Sequence, residues 1–162
     1  MKNHKAVRCA ILLSVGLLAS CDRIQSPETA FLKACEAELQ SRMKAPSTFK
    51  LLEKDVVAKE LSLEEWVEAE PPSSELQYEL RELLYKNGQK AKEYMASMKY
   101  EAANRYGTPI AETSVCTMVS ADIREDLNRG TTADFKLKID GQSSNDLQLS
   151  EIEALTGLRR KN

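Results

Sequence analysis

An apolar run from Ala10 to Leu18, broken only by Ser14 and Gly16, constrains this chain more than any other feature. Lys2, Lys5 and Arg8 precede it with no acidic residue nearby, and the small residues Ala19 and Ser20 follow it, just before Cys21. A basic segment, a short apolar segment and a small-residue cleavage site form the pattern of a secretory signal peptide. The run is nine residues long, against the roughly 20 a spanning helix needs. The sequence therefore predicts export and removal of residues 1–20, not a permanent membrane span. The folding chain then matures in an oxidising compartment, without His4 and Cys9, which leave with the leader.

Leu18-Ala-Ser-Cys21 resembles the lipobox of bacterial lipoproteins: an aliphatic residue, two small residues and an invariant cysteine. The resemblance implies diacylglyceryl transfer to the Cys21 sulfur, cleavage between Ser20 and Cys21, and acylation of the new amine. Two or more acyl chains anchor stably where one does not, at about 0.8 kcal/mol per buried methylene. The implied location is the bacterial cell membrane, lipid-anchored and facing the periplasm. In enterobacteria-like lipoproteins an aspartate after the cysteine, here Asp22, implies retention in the inner membrane. Residues 21–26 then form the lipidated N-terminus and linker, 27–158 a single periplasmic domain, and 159–162 a frayed basic tail.

Loss of three leader cations from the 23 Lys and Arg leaves 20 basic against 25 acidic residues, a net charge of −5. That balance disfavours nucleic acid, whose phosphates need a basic face. The only histidine is His4, so the mature chain has none. The commonest general base, the Ser/His and Cys/His pairs and most zinc or copper sites go with it. No cofactor or metal site and no enzymatic activity are expected. Of the four cysteines, Cys35 and Cys116 remain once Cys9 is removed and Cys21 modified. An even pair in an oxidising compartment reads as a disulfide, closing a loop of about eighty residues worth roughly 4 kcal/mol in the chain-entropy model. The alternative is two buried free thiols.

Ser26-Pro27-Glu28 suits a helix start, with a capping hydroxyl, proline at the first position and an acid at the positive end. Phe31, Cys35, Leu39 and Met43 then recur every four residues on one face, and Pro46 ends the helix. Thr48 to Ala58 reads as a strand. Ser62 and Glu65 form a capping box for a short helix whose Leu63, Trp66 and Val67 share a face. After the break at Pro71-Pro72, Leu76, Leu80, Leu83 and Leu84 mark a second amphipathic helix that Asn87-Gly88 stops. From Tyr94 to Ala102 the period becomes two, and Ser114 to Val119 alternates likewise, predicting a hairpin around Asn104–Pro109. Asn128-Arg-Gly130 reads as a turn. Phe135, Leu137 and Ile139 suggest a further strand ending at Asp140-Gly141, and Ser150 with Glu153 a capping box for a terminal helix.

A second, looser resemblance runs through Lys44-Ala-Pro-Ser-Thr-Phe49, Tyr100-Glu-Ala-Ala-Asn-Arg-Tyr-Gly107 and Cys116. It is to small exported bacterial proteins of unassigned activity. In these a cysteine-bearing helix enters a Pro-Ser-Thr turn, and an Asn-x-aromatic-Gly turn precedes the strand with the second cysteine. It implies the Cys35–Cys116 pairing. Residues 60–90 depart from the pattern as a helical insertion.

The fold expected is α+β: a small antiparallel sheet of three or four strands, a packed N-terminal helix, one disulfide and a helical insertion. The function expected is that of a membrane-anchored cell-envelope module that binds or supports, with Leu63, Trp66 and Val67 as a contact for an envelope protein partner. The bland alternative is that Trp66 packs on the domain's own core. The rival class is an envelope hydrolase using carboxylates from the cluster Glu60, Glu64, Glu65, Glu68 and Glu70. A binding module is expected to expose an apolar patch near Trp66. A hydrolase is expected to show a concave pocket with two facing carboxylates.

Overall fold

The computed structural model describes residues 25–156. The leader, the Ser20–Cys21 junction, Asp22 and the tail at 159–162 lie outside the described residues.

Helix α1 (Pro27–Ser41) starts where the capping signal placed it: Ser26 Oγ accepts the Thr29 N–H at 3.2 Å, with Pro27 in the first turn. Of its buried residues, Phe31, Cys35 and Leu39 recur every four positions and Leu32 lies three before Cys35, as one helix face requires. A 3₁₀ turn over Pro46–Thr48 leads into β1 (Lys50–Glu60). The insertion follows as α2 (Leu63–Ala69) and α3 (Glu75–Lys86), and then β2 (Lys92–Ala103) and β3 (Pro109–Ser120) form a long hairpin. The chain ends as α4 (Ile123–Asn128), α5 (Gly130–Lys136), β4 (Lys138–Ile139), β5 (Gln142–Ser143) and α6 (Ser144–Thr156).

The strands pair in chain order, β1-β2-β3-β4-β5, all antiparallel. The insertion leaves β1 and β2 adjacent, with Glu60 opposite Lys92. Period-two alternation sets the faces. Tyr94, Ala96, Met98 and Tyr100 are buried beside Ser114, Cys116, Met118 and Ser120, while Met95, Ser97 and Lys99 face solvent. One covered and one wet face is the usual state of an antiparallel sheet. Helix α1 covers the inner face: the Phe31 and Tyr94 rings lie 5.5 Å apart, and Cys35 and Cys116 form a disulfide with Cα atoms 6.0 Å apart.

The α+β architecture, the packed helix and the disulfide are as expected; the strand count is five, not three or four. β4 and β5 are two residues each, too short for any periodicity, and they exist because Ile139 and Lys138 dock against Cys116 and Thr117. Their connection needs Asp140 at φ +51° and Gly141 at φ +82°, the left-handed region that Asp and Gly tolerate best. Phe135 is helical, not in a strand: it lies in α5, 59% exposed, while Leu137 and Ile139 beyond the helix end are buried. The terminal helix begins earlier than the Ser150–Glu153 pattern suggested. Ser143 Oγ accepts the Asp146 N–H at 3.2 Å and Asp146 Oδ2 accepts the Ser143 N–H at 3.0 Å, whereas the Ser150 hydroxyl donates back to the Leu147 carbonyl. An aspartate does there what glutamate does in the usual reciprocal cap.

Candidate functional site

The β2–β3 hairpin, the C-terminal end of α1 and the β4–β5 turn enclose a cleft of about 720 Å³, within the size range of ligand sites. Leu39 and Met43 come from α1, Tyr100 and Ile110 from the hairpin, and Ile139 and Leu147 from the C-terminal segment. This apolar floor is edged by Arg42, Lys44 and Arg105 on one side of the charge balance and by Glu112 and Asp140 on the other.

The hairpin tip is built by Asn104. Its Oδ1 accepts the N–H groups of Tyr106 (2.8 Å) and Thr108 (3.1 Å), and Gly107 sits at φ +81°. An asparagine satisfying the turn beyond it is the ordinary reason for that residue in a tight loop. The loop in turn presents Tyr106, 74% exposed, with the Arg105 guanidinium 4.6 Å from its ring centroid.

Each polar group deeper in the cleft has a structural partner. The Tyr100 hydroxyl donates to Glu112 Oε2 at 3.0 Å. Burial pushes the Tyr100 phenol above its ordinary value; the Glu112 carboxylate adds to the rise and the hydrogen bond with Ser114 opposes it. Asp140 Oδ1 accepts the Val115 N–H at 2.8 Å, and the Asp140 N–H donates to the Val115 carbonyl at 2.8 Å. Arg42 Nε donates to Glu38 Oε1 at 2.8 Å and its other nitrogens reach the carbonyls of Gln142 (2.9 Å) and Ile139 (3.4 Å), which ties α1 to the β4–β5 turn. Glu38 also accepts the Ser144 hydroxyl.

The sequence offers Asn104, Tyr106 and Gly107 as ligand-site lining or, in preference, as a structural turn; the turn is there, and Asn104 and Tyr106 also line the cleft. Tyr100 and Glu112 lie six positions either side of Tyr106, so a hairpin centred there brings them opposite each other, as the register shows. That symmetry was readable. The contribution of Arg42, Ile139 and Leu147 was not, since they meet only when α1 and the C-terminal segment dock.

The residues nominated from sequence are placed elsewhere. Trp66 is 5% exposed and packs with Leu61 and Ala91 in a small second core. Its Nε1 donates to Glu70 Oε2 at 3.3 Å, and the Arg81 guanidinium lies 5.2 Å from the ring centroid. Leu63 and Val67 are half-buried around it. The three do not form an exposed contact, because the indole needs both its apolar face and its N–H satisfied inside the fold. Three acids of the cluster are drawn into separate ion pairs: Glu60 with Lys90 (2.5 Å), Glu65 with Lys59 (2.6 Å), and Glu70 with Arg81 (3.7 Å) and Lys136 (3.2 Å). Hydrogen bonds from Lys90 and from Lys59 hold the Glu60 and Glu65 carboxyls below the usual range. None of the five acids lines the cleft. Cys35 and Cys116 are fully buried in the disulfide, and Cys21 lies outside the described residues. Among the described residues no group of three or more His, Cys, Asp or Glu is placed to hold a metal ion, and no helix is long and apolar enough to cross a membrane.

No protein-family model, curated protein or solved structure matches this chain.

Proposed function

We propose that this protein is a lipid-anchored module of the bacterial cell envelope, tethered through Cys21, that works by binding and not by catalysis. The cleft between the α1 end and the hairpin is the binding site in this reading, and it is the observation that carries it. Its floor is apolar and its inner polar groups are already hydrogen-bonded, so a ligand gains there mainly by covering Met43, Ile110 and Leu147, which the fold leaves partly exposed. The ordinary role of such internal hydrogen bonds is to hold walls in place. Lys44 and Arg105 at the rim favour a ligand with an apolar body and an anionic end. The leader, the Leu18–Cys21 motif and the lack of histidine after residue 20 support the location and the non-enzymatic class.

The test is a nuclear magnetic resonance titration of the protein with decanoate, and with decanol as the uncharged control. Decanoate is expected to shift the amides of Met43, Arg105 and Tyr106, and Lys44→Glu with Arg105→Glu to weaken it at least fivefold. Equal responses to the two probes, or shifts that bypass the cleft, would overturn the assignment.

A further inference from the structure

Helix α3 carries an apolar stripe that nothing among the described residues covers. Leu76, Leu80 and Leu83 are 74%, 52% and 55% exposed, and no residue of the helix is buried. Their spacing of four and three puts them on one face. The helix is held to the protein by a different side. Arg81 stacks over Trp66, pairs with Glu70 and donates to the Glu70 carbonyl. Lys90 Nζ lies 5.9 Å from the Tyr85 ring. These contacts fix the roll of α3 and leave the leucines outward.

The location of the stripe matters as much as its composition. The insertion leaves β1 at Glu60 and returns to β2 at Lys92, which pair with each other at one end of the sheet, and the Leu61 N–H closes that end on the Ala91 carbonyl at 3.0 Å. The described chain begins at the same end. Glu28 feels the charge of Lys92, the Phe31 ring packs on Tyr94, and the Gln25 carbonyl accepts Arg124, just beyond the β3 residue that pairs with Lys92. Cys21 is four residues before Gln25, at most about 14 Å away along an extended chain. The α3 stripe and Gln25, from which the chain toward Cys21 departs, therefore belong to one end of the molecule, and the cleft, at the hairpin tip, to the other.

We propose that the leucine stripe of α3 rests on the lipid bilayer beside the acyl chains, as a second membrane contact that holds the cleft away from the surface. The proposal rests on anchoring at Cys21, because tethering supplies the effective concentration that a small stripe needs. A second copy is a poorer occupant: three leucines on a helix about 18 Å long cover far less than the roughly 800 Å² per partner of a stable interface. Charge selects the lipid. Glu75, Glu79 and Glu82 flank the stripe, Lys86 is paired with Glu82 at 2.6 Å, and Arg81 is turned to Glu70. That flank suits a zwitterionic surface, whereas interfacial helices on anionic lipid carry surplus Lys and Arg.

The test uses the full chain with its leader in a bacterial host, carrying a diazirine amino acid at position 80 or, as a control, at position 52. Leu52 is 41% exposed and lies toward the opposite end of β1. A fatty-acid probe in the same cells reports acylation of Cys21 separately. At least fivefold more phospholipid adduct from position 80 than from position 52 is expected. Crosslinks from position 80 to protein, or no lipid adduct while Cys21 is acylated, overturn the contact. Lipid adducts without acylation refute the anchor and, with it, the tethered contact as stated; loss of both refutes both. Leu80→Asp is expected to lower by fivefold or more the phospholipid adduct formed from a diazirine amino acid at position 83, which lies on the same stripe. The melting temperature of the Leu80→Asp protein is expected to stay within about 2 °C, since exposed positions contribute little.

Discussion

Reduction of the Cys35–Cys116 disulfide is the perturbation whose size follows most directly from the structure. The two residues are 81 positions apart, and closing a loop of that length removes about 4.5 kcal/mol of denatured-state entropy in the chain-entropy model. Both cysteines are fully buried, so reduction leaves two thiols in place and creates almost no cavity. The helix itself is expected to stay docked, because Phe31, Leu32 and Leu39 remain buried against the sheet, at about 1.5–3 kcal/mol each. The folded state therefore survives and the loss appears as a lower melting temperature. The described 132 residues, at about 2.1 cal/mol/K each, give an unfolding entropy near 280 cal/mol/K. The expected shift is about 16 °C downward. Calorimetry of oxidised and reduced protein, with mass spectrometry to confirm the two added hydrogens, measures it. A shift under about 5 °C with the thiols confirmed reduced would refute the loop-closure reasoning. A Cys35→Ala, Cys116→Ala protein should fall slightly further, because it also loses the buried sulfur contacts.

Cys21→Ser is expected to abolish labelling by a fatty-acid probe and release the protein from membranes; unchanged labelling refutes acylation at that sulfur. Trp66→Ala empties most of the small core around Leu61 and Ala91, and the expected cost is about 3 kcal/mol by chemical denaturation, the low end for such truncations; a cost under 1 kcal/mol would show that this cluster is not a packing unit. Tyr94 and Tyr100 are both pushed up, chiefly by burial. A group that holds its proton more tightly when folded favours the folded state below its unfolded value and loses that contribution as pH rises through the folded one. Stability should thus decline above about pH 10, and phenolate absorbance of Tyr94→Phe and Tyr100→Phe proteins should lose the latest-titrating components. On the acid side Glu28, Glu60 and Glu65 are held low by hydrogen bonds, from Glu28's own backbone amide, from Lys90 and from Lys59 respectively. Stability they provide is present above the ordinary carboxylate range and lost as pH falls through their lowered values, which an acid-unfolding series in low and high salt reads.

Local chemistry made much of the fold legible. Ser26-Pro27 and the Ser62–Glu65 box mark helix starts through backbone groups a few residues away, and the alternation from Tyr94 to Ala102 reports a strand with one covered face. Such signals act over short range, so a linear reading finds them. The failures share the opposite property. Phe135 alternates with Leu137 and Ile139 yet ends in α5, because the chain enters the sheet only where Ile139 meets Cys116. Ser150 has the spacing of a cap, but the helix starts one turn and more upstream because Ser143 is fixed on β5. Trp66 looks like an anchor in sequence and is a core residue in space, since Leu61 and Ala91 from either side of the insertion converge on it.

The chain alone determined its lack of imidazole after residue 20, the capped starts of its helices and the alternation that gives the sheet its buried face, because each depends on residue identity or on neighbours within a few positions. Tertiary structure alone decided where Arg42, Tyr100, Ile139 and Leu147 meet to form a cleft, and at which end of the molecule the α3 leucines emerge. Those are matters of how rigid elements pack and which surfaces remain once packing is complete, and distant residues settle them together.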